Sequence, residues 1–104
     1  MANRVLSPAE VRAMLRDGGE IALLDMREEG VFSEDGHPFF ANSVPLSRLE
    51  LMIRDLVPRQ GTRVVVLDGG GEGLAERAAA KLDRMGYGNV AVMAGGSKAW
   101  ATLP

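Results

Sequence analysis

The chain has 104 residues, 46% of them hydrophobic and 25% charged, with a formal charge of −2 and no cysteine. That length holds one domain rather than two, and the hydrophobic fraction excludes a disordered chain. The charge lacks the basic excess of a generic nucleic-acid binder, and the missing cysteine excludes disulfides, thiolate metal sites and thiol catalysis within the chain.

The first recognisable element follows the short apolar piece Val5-Leu6. Ser7-Pro8-Ala9-Glu10 is a helix start: Ser7 caps, Pro8 suits the first helical position, and Glu10 completes an S-x-x-E capping box. Val11, Met14 and Leu15 continue at helical spacing until Gly18-Gly19. Ile21 to Asp25 is an apolar run closed by a carboxylate, the pattern of a buried strand. The polar stretch from Arg27 to His37, with Gly30 and Gly36, is expected to hold one brief helical turn.

Phe39 to Leu46 reads as a short strand ending at Pro45. A second capping box, Ser47-Arg48-Leu49-Glu50, precedes Leu49, Met52, Ile53 and Leu56 at helical spacing, and Pro58 and Gly61 break that helix. Arg63 to Leu67 is dominated by valine, so a strand is expected there. Asp68 to Gly73 is a loop, and Leu74, Ala78, Leu82 and Met85 stripe the next helix, which Gly86-Tyr87-Gly88 stops. Asn89 to Met93 reads as another strand, Gly95-Gly96 as a turn, and Ser97 to Thr102 as a closing helix on which Trp100 packs against the sheet. Strands alternating with helices predict an α/β domain with a mostly parallel sheet of about five strands and helices on both faces.

No apolar run approaches the ~20 residues of a membrane span, and residues 1–8 lack a signal-peptide core. The expectation is a cytoplasmic protein with neither membrane nor nucleic-acid partners. Residues 1–104 are expected to form one domain, and the stop at Pro104, just past the closing helix, fits either a piece excised from a longer multidomain chain or a complete single-domain chain.

The loop at residues 68–73 draws the chemistry. Parallel sheets bind ligands beyond the carboxyl ends of their strands, and Gly69, Gly70, Gly71 and Gly73 allow backbone amides to converge on one point ahead of a helix. By geometry the loop could hold an anion. By charge it repels one, because Asp68, Glu72 and Glu76 precede the first cation, Arg77. No lysine follows the glycines, which excludes a P-loop, and Leu74 breaks a G-x-G-x-x-G pattern. In the simplest reading Asp68 caps the following helix with its own carboxylate.

The ordered motifs resemble those of rhodanese-like domains. Leu23-Leu24-Asp25-Met26-Arg27-Glu28-Glu29 with Phe32 resembles the family's "LLDVRxxxEF". Gly36-His37 stands where "GHIPGA" is usual, Val44-Pro45-Leu46 where "NIPL" is, and Val64 to Asp68 resembles "VVVYC". Ala78 to Leu82 with Gly86-Tyr87, then Asn89-Val90, Gly95-Gly96 and Ala99-Trp100, follow the remaining pattern. The resemblance implies a three-layer rhodanese-like fold. In that family the loop reads C-x-x-x-x-R and the cysteine carries sulfur as a persulfide, with thiosulfate as the familiar donor. Here Asp68 stands at the cysteine position and Gly73 at the arginine position. A carboxylate cannot accept sulfane sulfur as a thiolate does, and without the arginine the loop loses its attraction for anionic donors. Pro38 to Asn42, in place of "IPGAxN", also changes the rim.

The resemblance thus implies a catalytically inactive domain with no cofactor and no metal, serving a structural, regulatory or interaction role. Its partner would be another rhodanese-like domain or an active sulfurtransferase, and homo-oligomers are allowed. Three other readings remain open. "VVVLDGGG" resembles the opening of haloacid-dehalogenase enzymes, so Asp68 could be a nucleophile in a hydrolase or transferase, although Gly70 stands where a second acid should hold Mg²⁺. Asp68 and Glu72 could instead bind a cation, making Gly69 to Gly73 a small-ligand module. His37 could act as a general base. Asp25 and Arg27, two apart at a strand end, suggest catalysis by type, whereas the resemblance implies that they, like His37, are structural beside the site.

Overall fold

A computed structural model describes residues 4–28 and 41–104. The expected helical turn before His37, and Phe32, Gly36, His37, Phe39 and Phe40 themselves, lie outside the described residues. The elements in chain order are β1 (Arg4–Leu6), α1 (Pro8–Arg16), β2 (Ile21–Asp25), β3 (Asn42–Ser43), a 3-10 turn (Leu46–Arg48), α2 (Leu49–Leu56), β4 (Arg63–Leu67), α3 (Leu74–Arg84), β5 (Val90–Met93) and α4 (Gly96–Trp100). The five strands form one sheet in the order β1-β5-β4-β2-β3, with every pairing parallel.

The valine run earns its central place in that sheet. β4 lies between β2, where Ile21 faces Arg63 and Asp25 faces Leu67, and β5, where Val64 faces Val90. Successive side chains of a strand point to opposite faces, so β4 serves two cores at once. Val64 and Val66 join Leu24, Val92, Leu49 and Ile53 of α2, and Ala78, Ala79 and Leu82 of α3. Val65 and Leu67 join Leu23, Met93 and Val11 of α1, with Trp100 packed at the margin. Helices therefore cover both faces, as the alternation of strands and helices predicts.

Local chemistry sets the helix ends. Ser7 accepts the Glu10 N–H at 3.1 Å and the Glu10 carboxylate accepts the Ser7 N–H at 2.9 Å, closing the expected capping box. At the end of α3, Gly86 adopts φ +95° and donates to the Asp83 carbonyl, while Tyr87 donates to the Leu82 carbonyl at 3.0 Å. That pair of bonds is a Schellman motif.

The second capping box does not form. Pro45 opens a 3-10 turn that Arg48 N–H closes on the Pro45 carbonyl at 2.8 Å, and α2 then starts with no side-chain cap. The turn already occupies the backbone that Ser47 would have capped. Ser47 Oγ donates instead to Glu28 at 3.5 Å, and Glu50 pairs with Lys81 at 2.8 Å. Among the described residues the expected strand up to Pro45 is only Asn42–Ser43, although Val44 and Leu46 still donate to the Asp25 and Met26 carbonyls.

Candidate functional site

β2, β4 and β5 are parallel neighbours, so the segments leaving their carboxyl ends meet at one edge of the sheet. β4 delivers Asp68 there, 4% exposed. The loop behind it turns back through Gly70, Gly71 and Gly73 at φ +117°, +77° and +78°, a run that side-chain-bearing residues rarely sustain. Three of the amides here donate to the chain's own carboxylates. Asp68 Oδ1 accepts the Gly70 N–H at 2.8 Å and Oδ2 accepts the Ala75 N–H at 3.1 Å. Glu72 Oε1 closely accepts the Gly69 N–H. Ala75 lies in the first turn of α3, whose N-cap is Gly73 and has no side chain to donate to. Asp68 supplies that missing cap from seven residues upstream.

The segment after β5 clamps this loop from the side. Ser97 N–H donates to the Asp68 carbonyl at 2.8 Å and Lys98 N–H to the Gly69 carbonyl at 3.4 Å. Only glycine fits at 96, because a Cβ there would lie 2.5 Å from the Gly70 nitrogen.

β2 delivers Asp25 and, just past it, Arg27, with relative exposures of 0% and 2%. Arg27 Nη2 donates to Asp25 Oδ2 at 2.7 Å, Nε to Oδ1 at 3.0 Å, and the Arg27 backbone N–H to Oδ1 at 3.0 Å. The two residues form a buried bidentate pair at the site's wall, with the Arg27 stem lying beside Gly69. A cavity of about 490 Å³ opens in front, lined by Arg27, Gly69, Gly70, Glu72, Ser97, Lys98 and Ala101.

The structure thus gathers Asp25, Arg27, Asp68 and Gly69 to Gly73 around one edge, while His37 lies outside the described residues. Sequence reasoning missed Ser97 and Lys98. The available signal was topological: β5 neighbours β4 in the sheet, so the loop after β5 had to end beside the loop after β4. Among the described residues, no group of three or more histidine, cysteine, aspartate or glutamate side chains is arranged around a common metal position.

An α/β sheet of this order, with a glycine loop after its central strand, defines a recognised class, and residues 7–103 match the family model of the rhodanese-like domain. The chain belongs to the rhodanese-like domain family. A thiosulfate sulfurtransferase from Pseudomonas aeruginosa is 47% identical, with a TM-score of 0.88 over 94% of this chain and 18% of its own length. The chain therefore corresponds to a small part of that longer protein. A Rhodopseudomonas palustris protein of unknown function, described as a possible tyrosine phosphatase, is 24% identical with a TM-score of 0.83 over 95% of this chain and 80% of its own. A rhodanese-related protein from Thermoplasma volcanium is 20% identical, with a TM-score of 0.79 over 97% and 95% of the two chains. These last two share the fold. No curated protein matches the chain. Among the described residues, no helix is long and apolar enough to cross a membrane.

Proposed function

We propose that this chain is a catalytically inactive rhodanese-like domain with a structural, regulatory or interaction role beside an active sulfurtransferase domain, in the same polypeptide or in a partner. One observation carries the reading: the residue at the family's cysteine position is a carboxylate that accepts two amides of the surrounding loop and helix. Sulfur transfer needs a polarisable thiolate there, and the chain contains no cysteine. Three amides of the loop and helix start, those of Gly69, Gly70 and Ala75, already donate to Asp68 and Glu72. The likeness to one portion of a thiosulfate sulfurtransferase supports a place among further domains.

The rival roles for Asp68 fit less well. A nucleophilic aspartate needs an oxygen open to in-line approach, whereas both Asp68 oxygens accept backbone N–H groups and the residue is buried. A hard cation would have to compete with the same donors for Asp68 and Glu72.

The test is thiocyanate production from thiosulfate and cyanide. The expected result is a rate no higher than the protein-free control, and clear turnover by the wild-type chain would overturn the proposal. Aryl-phosphate hydrolysis with Mg²⁺ that disappears in Asp68→Asn would instead establish the nucleophile.

A further inference from the structure

Away from the family site, a second cavity of about 590 Å³ lies between α3 and the 3-10 turn. Arg77, Lys81 and Arg84 line it from one face of α3, at the i, i+4, i+7 spacing that aligns side chains along a helix. Its floor is apolar, made by the half-buried Leu46, Leu74 and Ala80. Among the described residues a single carboxylate, Glu28, stands on the opposite wall. Three cations against Glu28 on the wall and Glu50 paired with Lys81 leave this groove with a positive excess, on a chain whose formal charge is −2.

The cations are unequally engaged. Half-buried Lys81 pairs with exposed Glu50 at 2.8 Å, and the Lys81 hydrogen bond holds Glu50 below its ordinary value, with a smaller contribution from the Arg84 charge. Arg77 is exposed and makes no hydrogen bond or ion pair among the described residues. With Lys81 held by Glu50, the outer cations Arg77 and Arg84 flank the apolar floor, opposite Glu28.

We propose that this groove binds an acidic peptide segment of a partner protein, its carboxylates on Arg77 and Arg84 and an apolar side chain on the Leu46, Leu74 and Ala80 floor. Arg77 and Arg84 are separated by about 10 Å along the helix, at ~1.5 Å per residue. A polyproline II segment returns to the same side every three residues and rises ~3.1 Å per residue, so acids at i and i+3 span about 9 Å. The recognised pattern is therefore an acid, two residues of which one is apolar, and a second acid. The cation that Glu50 already holds, Lys81, is a reserve that the peptide competes for. The groove does not involve Asp68, so this inference stands apart from whether the domain transfers sulfur.

The experiment is fluorescence anisotropy of a fluorescein-labelled Glu-Leu-Pro-Glu peptide with the full chain. Binding should weaken with salt, and by about tenfold or more in Arg77→Glu/Arg84→Glu, since two attractive contacts become repulsive. The milder Arg77→Gln/Arg84→Gln should lose severalfold with an unchanged circular dichroism spectrum, and Glu50→Gln, which frees Lys81, should bind severalfold tighter. Failure of the probe to bind would overturn the proposal, as would equal binding of Gln-Leu-Pro-Gln or indifference to the arginine changes. A single-stranded oligonucleotide bound as tightly, and lost in the same variant, would show a general polyanion site and also overturn it.

Discussion

The Asp68 carboxylate caps α3 through the Ala75 N–H, 3.1 Å away and seven residues later in the chain. A carboxylate at a helix N-terminus gains both a hydrogen bond and the favourable end of the helix dipole. On the proposed reading, the carboxylate at the family's cysteine position makes a structural contact, so the site's chemistry and the domain's stability become the same question.

Replacing Asp68 by alanine should destabilise the domain by about 1.5–3 kcal/mol, the range for hydrogen bonds to a charged group. The Gly70 and Ala75 donors would lose their acceptor at a residue only 4% exposed. Urea unfolding measures the loss; a change under about 0.5 kcal/mol would mean that water replaces the carboxylate at no cost.

The two turns of the site separate backbone strain from steric conflict. Gly71 and Gly96 have φ of +77° and +62°, but a Cβ at Gly71 meets nothing within 4 Å whereas one at Gly96 reaches the Gly70 nitrogen at 2.5 Å. Gly71→Ala should cost only the left-handed penalty of about 1–2 kcal/mol. Gly96→Ala should cost clearly more, because the clamp on the Asp68 loop must shift. Equal unfolding midpoints for the two variants would contradict this.

Much of this arrangement is legible in the sequence because its causes are local. The valines of β4, the Ser7–Glu10 box and the glycine after α3 each act within a few residues, and each forms the expected element. The Ser47–Glu50 box has the same letters as Ser7–Glu10 but follows Pro45, which opens a 3-10 turn that takes the helix start first. The Asp68 cap is legible as chemistry, while its reach to Ala75 depends on three positive-φ glycines within four residues, Gly70, Gly71 and Gly73. Ser97 and Lys98 could not be placed from local pattern at all, since only the pairing of β5 with β4 brings them there.

The Asp25–Arg27 pair gives a prediction with a built-in control. Both side chains are buried, so Arg27→Met strands a carboxylate and should cost about 3–5 kcal/mol. Adding Asp25→Asn removes the stranded charge and should restore part of that loss. A double variant less stable than Arg27→Met would show that Asp25 matters more to its other neighbours than to Arg27.

Acid unfolding has a surface contribution from the opposite end of the sheet. The hydrogen bond from Arg63, then that from the Gly19 N–H, lowers Asp17 from 3.8 to about 2. A depressed carboxylate contributes stability that is present above 3.8 and is lost as pH falls towards about 2. Asp17→Asn should flatten the urea midpoint in that window and leave the slope above it unchanged. The difference should shrink in high salt, because the pair is solvent-exposed.

Restoring the family's sulfur chemistry should need two changes. Asp68→Cys places a thiol among helix N-terminal amides that favour the thiolate, but it also removes the cap on Ala75. Glu72 would still occupy the Gly69 N–H, and Gly73 would still offer no cation to an anionic donor. The single variant should therefore make thiocyanate only slightly above background. Asp68→Cys/Gly73→Arg should do better, since a Cβ at 73 has open space and meets only the left-handed penalty of about 1–2 kcal/mol at φ +78°. Robust transfer by Asp68→Cys alone would show that the cation at position 73 is dispensable. The proposed inactivity would then rest on the missing thiol alone.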